Sequence, residues 1–210
     1  LKEYIAKHPE EIQASTTLGD ISVALGKHQE AERLYREVIG RAPRSPLGYT
    51  ALAMLYLGQG RQAQAVSVLE QGLKQSGDAG LFSMLTRQYV ASKHFDKAKA
   101  ACEARLREIP NDAVSYDVLG HIYSIQKMHP QAVEAYSKAV AANPKWDAPH
   151  RNLAMAYLAQ GLKDAAVSTL EQQVKNDPKN PSPLLTLAQV YLLSGEPKLA
   201  IAAYSRAEAL

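Results

Sequence analysis

The sequence predicts an all-α protein, a solenoid of antiparallel helix–turn–helix repeats with a period of 34 residues. Three observations carry this reading. A leucine followed by a small residue recurs as Leu18-Gly19, Leu52-Ala53, Leu85-Thr86, Leu119-Gly120, Leu153-Ala154 and Leu187-Ala188, the leucines lying 34, 33, 34, 34 and 34 residues apart. An alanine follows each of these leucines by 13 residues, at Ala31, Ala65, Ala98, Ala132, Ala166 and Ala200. Proline closes most units, at Pro9, Pro43, Pro110, Pro144 and Pro178, with Gly77 in the unit that is one residue short. Agreement of independent columns at one such period marks stacked supersecondary units.

The columns divide the chain into a single array over 1–210. Its repeats fall at about 12–45, 46–78, 79–112, 113–146, 147–180 and 181–210. Residues 1–11 fit the tail of a preceding repeat, since Leu1, Ile5 and Pro9 fall in the columns of Tyr35, Ile39 and Pro43. The last unit stops before its closing proline, so the chain reads as a segment of a longer array. On that reading the seam face of the last helices, with Tyr191, Leu192 and Tyr204, lacks a following repeat.

Each repeat holds two apolar-periodic stretches of helical length. In the fourth, the first helix is expected from Val114 to Gln126, with Tyr116, Leu119, Gly120 and Tyr123 on one face at i, i+3, i+4 and i+7. The turn follows at Gly26, Gly60, Gly161 and Gly195, or at Lys93 and Lys127 in the other two units. Glycine there allows the left-handed backbone that ends a helix. The second helix of the fourth unit is expected from Pro130 to Ala142, with Ala132, Tyr136, Ala139 and Val140 on one face. Pro130 and Pro197 suit a first turn, where a missing N–H costs nothing. Asn143-Pro144 and Asp177-Pro178 end second helices, because a residue before proline is pushed out of the α region.

The small columns let paired helices approach closely. Two larger columns, Tyr56, Tyr89, Tyr123, Tyr157 and Tyr191 (Ser22 in the first unit), and Tyr35, Leu69, Cys102, Tyr136, Leu170 and Tyr204, fill the seams. A single hairpin cannot bury this apolar face, whereas a stack can.

The period and the Leu-Gly…Tyr…Gly…Ala…Tyr…Ala…Pro columns resemble the tetratricopeptide repeat family over essentially the whole chain. The segment LGHIYSIQKMHPQAVEAYSKAVAANP, residues 119–144, matches that pattern almost throughout. One column departs: the small residue of the second helix, Ala139 and Ala207, is Val38, Gly72, Arg105 and Gln173 elsewhere. The resemblance implies a right-handed superhelical solenoid whose first helices line a concave groove that binds a partner peptide or helix. Helical spacing then puts the groove on the face opposite the Leu-Tyr seam. Twelve residues there are the candidate partner-binding set: Asp20, Met54, Leu57, Met84, Arg87, Asp117, His121, Arg151, Asn152, Met155, Leu158 and Gln189. Flexible, polarizable methionines suit adaptable grooves, and the polar members can bond a peptide backbone or carboxylate. Some family members hold a chaperone's C-terminal carboxylate with lysines, asparagines and an arginine at set positions. Of those positions only Asn152 matches, so such tails are not expected partners.

The expected function is therefore a protein–protein interaction scaffold. The alternative is a structural or self-associating array, part of a bacterial export or envelope-assembly machine, with a homo-oligomer as one form. Net charge is +3 with acidic and basic residues interspersed, which gives no nucleic-acid footprint. No apolar run is long enough for membrane insertion by this segment. A single cysteine, Cys102, excludes an internal disulfide and fits either a cytoplasmic or a periplasmic setting. It stands in a seam column as core filler. No catalytic residue, cofactor or metal site is expected. Asp117, His121 and Ser124 match a triad in residue type, but three side chains on one helix face cannot align it, and no oxyanion hole accompanies them. No Cys/His cluster has zinc spacing, and the glycines are helix stops, not a phosphate loop.

The register has a direct test. Ala132→Glu should force an uncompensated charge into a close helix contact and destabilise by roughly 3–5 kcal/mol. An unchanged melting temperature would refute the alignment of columns.

Overall fold

One backbone device turns every repeat. In each, a carbonyl in the last turn of the first helix accepts a bond from the N–H five residues later. The pairs are Lys27 to Ser22, Arg61 to Tyr56 and His94 to Tyr89, each at 2.8 Å, and Met128 to Tyr123, Leu162 to Tyr157 and Glu196 to Tyr191, each at 2.9 Å. The residue before each donor has positive φ: glycine at 26, 60, 161 and 195, but lysine at 93 and 127, with φ of 59° and 57°. This is the Schellman closure. For a lysine the left-handed backbone costs about 1 kcal/mol, which the paired turn bonds offset.

The structure is a computed structural model that describes residue 8 and residues 11–210. The expected tail of a preceding repeat, with Leu1, Ile5 and Pro9, lies outside the described residues. Among the described residues the chain is an all-α helical-repeat solenoid of twelve helices, with no strand. The first repeat is α1 (Ile12–Ala24) and α2 (His28–Arg41), and the second is α3 (Pro46–Gly58) and α4 (Gln62–Ser76). The third is α5 (Ala79–Ala91) and α6 (Phe95–Glu108), and the fourth α7 (Ala113–Ile125) and α8 (His129–Ala142). The fifth is α9 (Asp147–Ala159) and α10 (Lys163–Asn176), and the sixth α11 (Ser182–Leu193) and α12 (Pro197–Glu208). The chain forms two compact units, residues 1–94 and 95–210.

Capping sets the boundaries one residue from those expected in the fourth repeat. The Asp112 carboxylate accepts the Ser115 N–H at 2.8 Å and starts α7 at Ala113, not Val114. Gln126 is the C-cap, outside the helix. The Met128 carbonyl accepts the Ala132 N–H at 3.0 Å, so α8 opens at His129, ahead of Pro130.

Close helix approach inside a hairpin rests on a size exchange between two columns. A Cβ placed on Gly19 would lie 2.3 Å from Tyr35 Cε1, and one on Gly120 would lie 2.6 Å from Tyr136 Cδ1. The tyrosine ring therefore lies directly on the bare backbone of the first helix. In two repeats whose first column holds alanine the second holds leucine, Ala53 with Leu69 and Ala154 with Leu170, all four fully buried, whereas in the sixth Ala188 stands with Tyr204, which is 44% exposed. In the two glycine and two leucine repeats, glycine takes the ring and alanine the shorter branched chain, which conserves the filled volume.

The two polar departures from the small column of the second helix have polar partners. Arg105 Nε lies 3.2 Å from Asp112 Oδ2, with 11% and 10% of the two side chains exposed. One carboxylate thus caps α7 and neutralises a nearly buried guanidinium on α6. Gln173 Nε2 donates to Asp147 Oδ1 at 2.6 Å. Cys102 is fully buried, and burial, then Asp112 and Glu103, push its thiol up to about 12, which keeps it protonated filler.

Seams between repeats combine polar links with apolar packing in both units. In residues 1–94, Tyr56 Oη donates to Glu32 Oε1 at 2.7 Å, linking α3 to α2, and Arg61 Nη1 holds the other oxygen at 3.1 Å. Arg61 also stacks 4.1 Å above the Tyr56 ring centroid. Tyr89 Oη donates to the Glu70 carboxylate, linking α5 to α4. In residues 95–210 Lys163 Nζ lies 2.8 Å from Glu196 Oε1 and Arg206 Nη1 lies 2.8 Å from Glu171 Oε1, beside apolar clusters. One cluster joins Ala154, Ala166, Leu170, Leu184, Leu187, Val190 and Ala203, and another joins Ala132, Tyr136, Leu153 and Ala156.

Two outcomes follow. Gly19→Ala should cost about 1–3 kcal/mol by overpacking. Adding Tyr35→Leu should recover part of that loss by recreating the Ala53/Leu69 pair; strictly additive losses in a denaturation cycle would refute the exchange. The second outcome concerns pH. The Tyr56 hydroxyl holds the Glu32 carboxyl below its ordinary value of 4.5; burial opposes this, and Arg36 and Arg61 lower it further. A depressed folded value gives stability that is complete above pH 4.5 and lost as pH falls through the folded value. The Tm of Tyr56→Phe should therefore fall less between pH 4.5 and lower pH than that of the wild type. Parallel curves would remove the hydroxyl from this role.

Candidate partner-binding surface

The first helix of each repeat turns its Leu and Tyr columns inward, where they are buried or half-buried, and leaves most of the opposite columns open. None of the twelve predicted groove residues is buried. Asp20, Met54, Arg87, His121, Arg151 and Gln189 are exposed, whereas Leu57, Met84, Asp117, Asn152, Met155 and Leu158 are half-buried. Neighbouring first helices supply the partial cover in residues 95–210. Met155 and Leu158 of α9 pack on the cluster that includes Leu184 and Leu187 of α11. Asn152 Nδ2 donates to Asp117 Oδ1 at 2.9 Å, tying α9 to α7.

In residues 1–94 the structure brings Asp20 and Met54 together on the rim of a pocket of about 370 Å³ between α1 and α3. Val23, Ala51, Met54, Leu55 and Gly58 give it apolar walls. Asp20, His28, Tyr35 and Gln59 supply its polar groups. The side chains of Ala51 and Gly58 are short enough to leave the space open, and Met54 is 61% exposed.

Tyr35 is the residue that sequence reasoning assigned only to the seam. Because Gly19 has no Cβ, the ring crosses α1 and its hydroxyl donates to Asp20 Oδ1 at 2.6 Å. Burial, then the Asp20 carboxylate, push the Tyr35 hydroxyl well above its ordinary range, so it remains a donor. The Gly19–Tyr35 pairing was the available signal. His28 and Gln59 reach the pocket from the two turns, where no helical spacing pointed to them.

Two of the Asp117, His121 and Ser124 trio are engaged elsewhere, and His121 is exposed. Asp117 holds Asn152, and the Ser124 hydroxyl lies 3.5 Å from Tyr136 Oη. Among the described residues no group of three or more His, Cys, Asp or Glu is placed to hold a metal ion. No helix there is long and apolar enough to cross a membrane.

A fold of stacked helical hairpins with open first-helix faces defines a helical-repeat scaffold. The family model for the tetratricopeptide repeat matches residues 22–89 and 125–182, more than half of the chain. The chain belongs to the tetratricopeptide repeat family, whose fold is a protein-interaction scaffold and whose members are generally non-enzymatic. No curated protein sequence matches it. Among solved structures, a tetratricopeptide repeat protein from Parabacteroides merdae is similar at a TM-score of 0.67 and 16% identity, over 99% of this chain and 83% of that one. Pseudomonas aeruginosa pilF is similar at a TM-score of 0.64 and 16% identity, over 94% of this chain and 90% of that one. A chain of the APC/C hetero-tetramer Cut9-Hcn1 is similar at 0.65 and 20% identity. There the match covers 99% of this chain, which spans 41% of the length of the other. At these identities the likeness is one of fold.

Proposed function

We propose that this chain is an interaction scaffold that holds an extended or helical segment of a partner polypeptide against first-helix faces of its repeats. The observation that carries this reading is the pocket between α1 and α3, which opens on columns that packing leaves free. Concave faces of repeat solenoids commonly serve as binding surfaces. The contact residues of the proposal are the twelve groove positions. Asp20, Met54 and Arg87 are their exposed members in residues 1–94, and His121, Arg151 and Gln189 in residues 95–210.

A second reading, self-association, has its own support. Tyr204 is 44% exposed, whereas its column-mates Tyr35, Leu69, Tyr136 and Leu170 are at most 3% exposed. Leu192, Leu193, Leu199 and Ile201 nearby are also exposed, and apolar patches of this kind associate readily.

Affinity capture separates the two. The chain should retain from host lysate a protein that an Arg87→Ala/Arg151→Ala/Met155→Ala variant of equal helicity loses by about tenfold or more, the scale of a few interface anchors. Equal capture by both proteins would move the site off the first-helix faces. Light scattering that shows a concentration-dependent dimer, lost in Tyr204→Glu/Ile201→Glu, would favour self-association.

A further inference from the structure

We propose that the α1–α3 pocket is a subsite for a lysine or arginine side chain of the bound polypeptide, an inference that rests on the groove reading above. The chemistry of the pocket selects this occupant. Its walls are apolar, with Val23, Ala51, Met54 and Leu55 available to a methylene stem. Long cationic side chains bury such stems while their heads seek an acceptor. The acceptor is Asp20. The Tyr35 hydroxyl holds Asp20 Oδ1 at 2.6 Å, which fixes the carboxylate on the rim and uses one of its two oxygens. A carboxylate can accept several bonds at once, and those from a cation are among the strongest.

The charge at this position has been left unneutralised by the protein itself. Among the described residues, the arginines of α2 and the following turn serve other acids: Arg33 pairs with Glu37, and Arg36 and Arg61 pair with Glu32. None pairs with Asp20. The pocket therefore presents one oriented negative charge beside an apolar slot, and an acidic side chain entering it would meet repulsion.

The equivalent columns in residues 95–210 show that the feature is particular to the first pair of repeats. One full set of three repeats further on, His121 stands for Asp20, Asn152 for Ala51 and Ala159 for Gly58, while His129, Tyr136, Met155 and Gln160 keep the identities of His28, Tyr35, Met54 and Gln59. Asn152 occupies its place in a bond to Asp117. The acid is thus absent from the second site, and Ser124, Asn152 and Ala156 stand there in place of Val23, Ala51 and Leu55.

The four methionines, Met54, Met84, Met128 and Met155, make the test local. With ¹³C-methyl-labelled methionine in the 210-residue chain, acetylated and amidated Ala-Ala-X-Ala-Ala peptides would be titrated, X being lysine, arginine, norleucine or glutamate. The expected result is a Met54 methyl shift that saturates about tenfold earlier with lysine or arginine than with norleucine, the scale of one charge-assisted bond. Asp20→Asn, which keeps an acceptor for Tyr35, should erase that preference. Ala51→Asn, which copies the second site, should abolish the Met54 shift. Equal response to norleucine and lysine, a preference for glutamate, or a silent Met54 methyl would overturn the inference. A silent Met54 with a shifted Met84 or Met155 would overturn the subsite and leave the groove reading standing. If no methyl moves with any peptide, the subsite fails, and the groove reading is judged on its capture experiment alone.

Discussion

Everything in this molecule depends on how closely the two helices of a hairpin approach. That distance is fixed by what one helix lacks and the other supplies. Bare backbone at Gly19 and Gly120 receives the rings of Tyr35 and Tyr136, and a methyl at Ala53 and Ala154 faces leucine instead. The hairpin geometry then repeats despite different side chains, and regular stacking becomes possible. The same constraint reaches the surface. A ring that crosses the first helix delivers its hydroxyl to the opposite face, where it orients Asp20. A packing decision inside the hairpin thereby places a polar group in the binding face.

Much of the fold was legible in the sequence because the repeat states its own register six times. The period, the turn position, the stop at proline and the choice of buried face all follow from columns, and local capping moved the boundaries by a single residue. The open first-helix columns were also legible, since helical spacing alone separates them from the seam. The pairings on that face were not. Asp117 and Asn152 lie 35 residues apart in the chain, and which neighbours bond across adjacent repeats depends on rotamers that a column does not encode. Tyr35 was misread as purely a seam residue because each column was considered singly, not against the column it packs on. Arg105 fits a tight position because the Asp112 carboxylate stands beside it, a pairing that its column does not encode.

The family assignment narrows function without naming a partner. One fold supports many partners, and the discriminating information lies in the side chains of the open face. Here those side chains differ between repeats that share a frame. The sites around Met54 and Met155 keep His, Tyr, Met and Gln in common and diverge at the acid and at residues of the pocket wall. Divergence on a retained frame lets a solenoid present different chemistry along its length while its core stays the same.

The joining of ionic links and apolar burial in the seams of both units has a consequence for how the protein yields under stress. Ionic links such as those of Glu32 with Arg36 and Arg61 weaken as salt screens them, and they do not fade on cooling. Apolar burial is insensitive to moderate salt and weakens in the cold. Brine and chill therefore draw on different links of the same seam, and resilience to one confers none to the other.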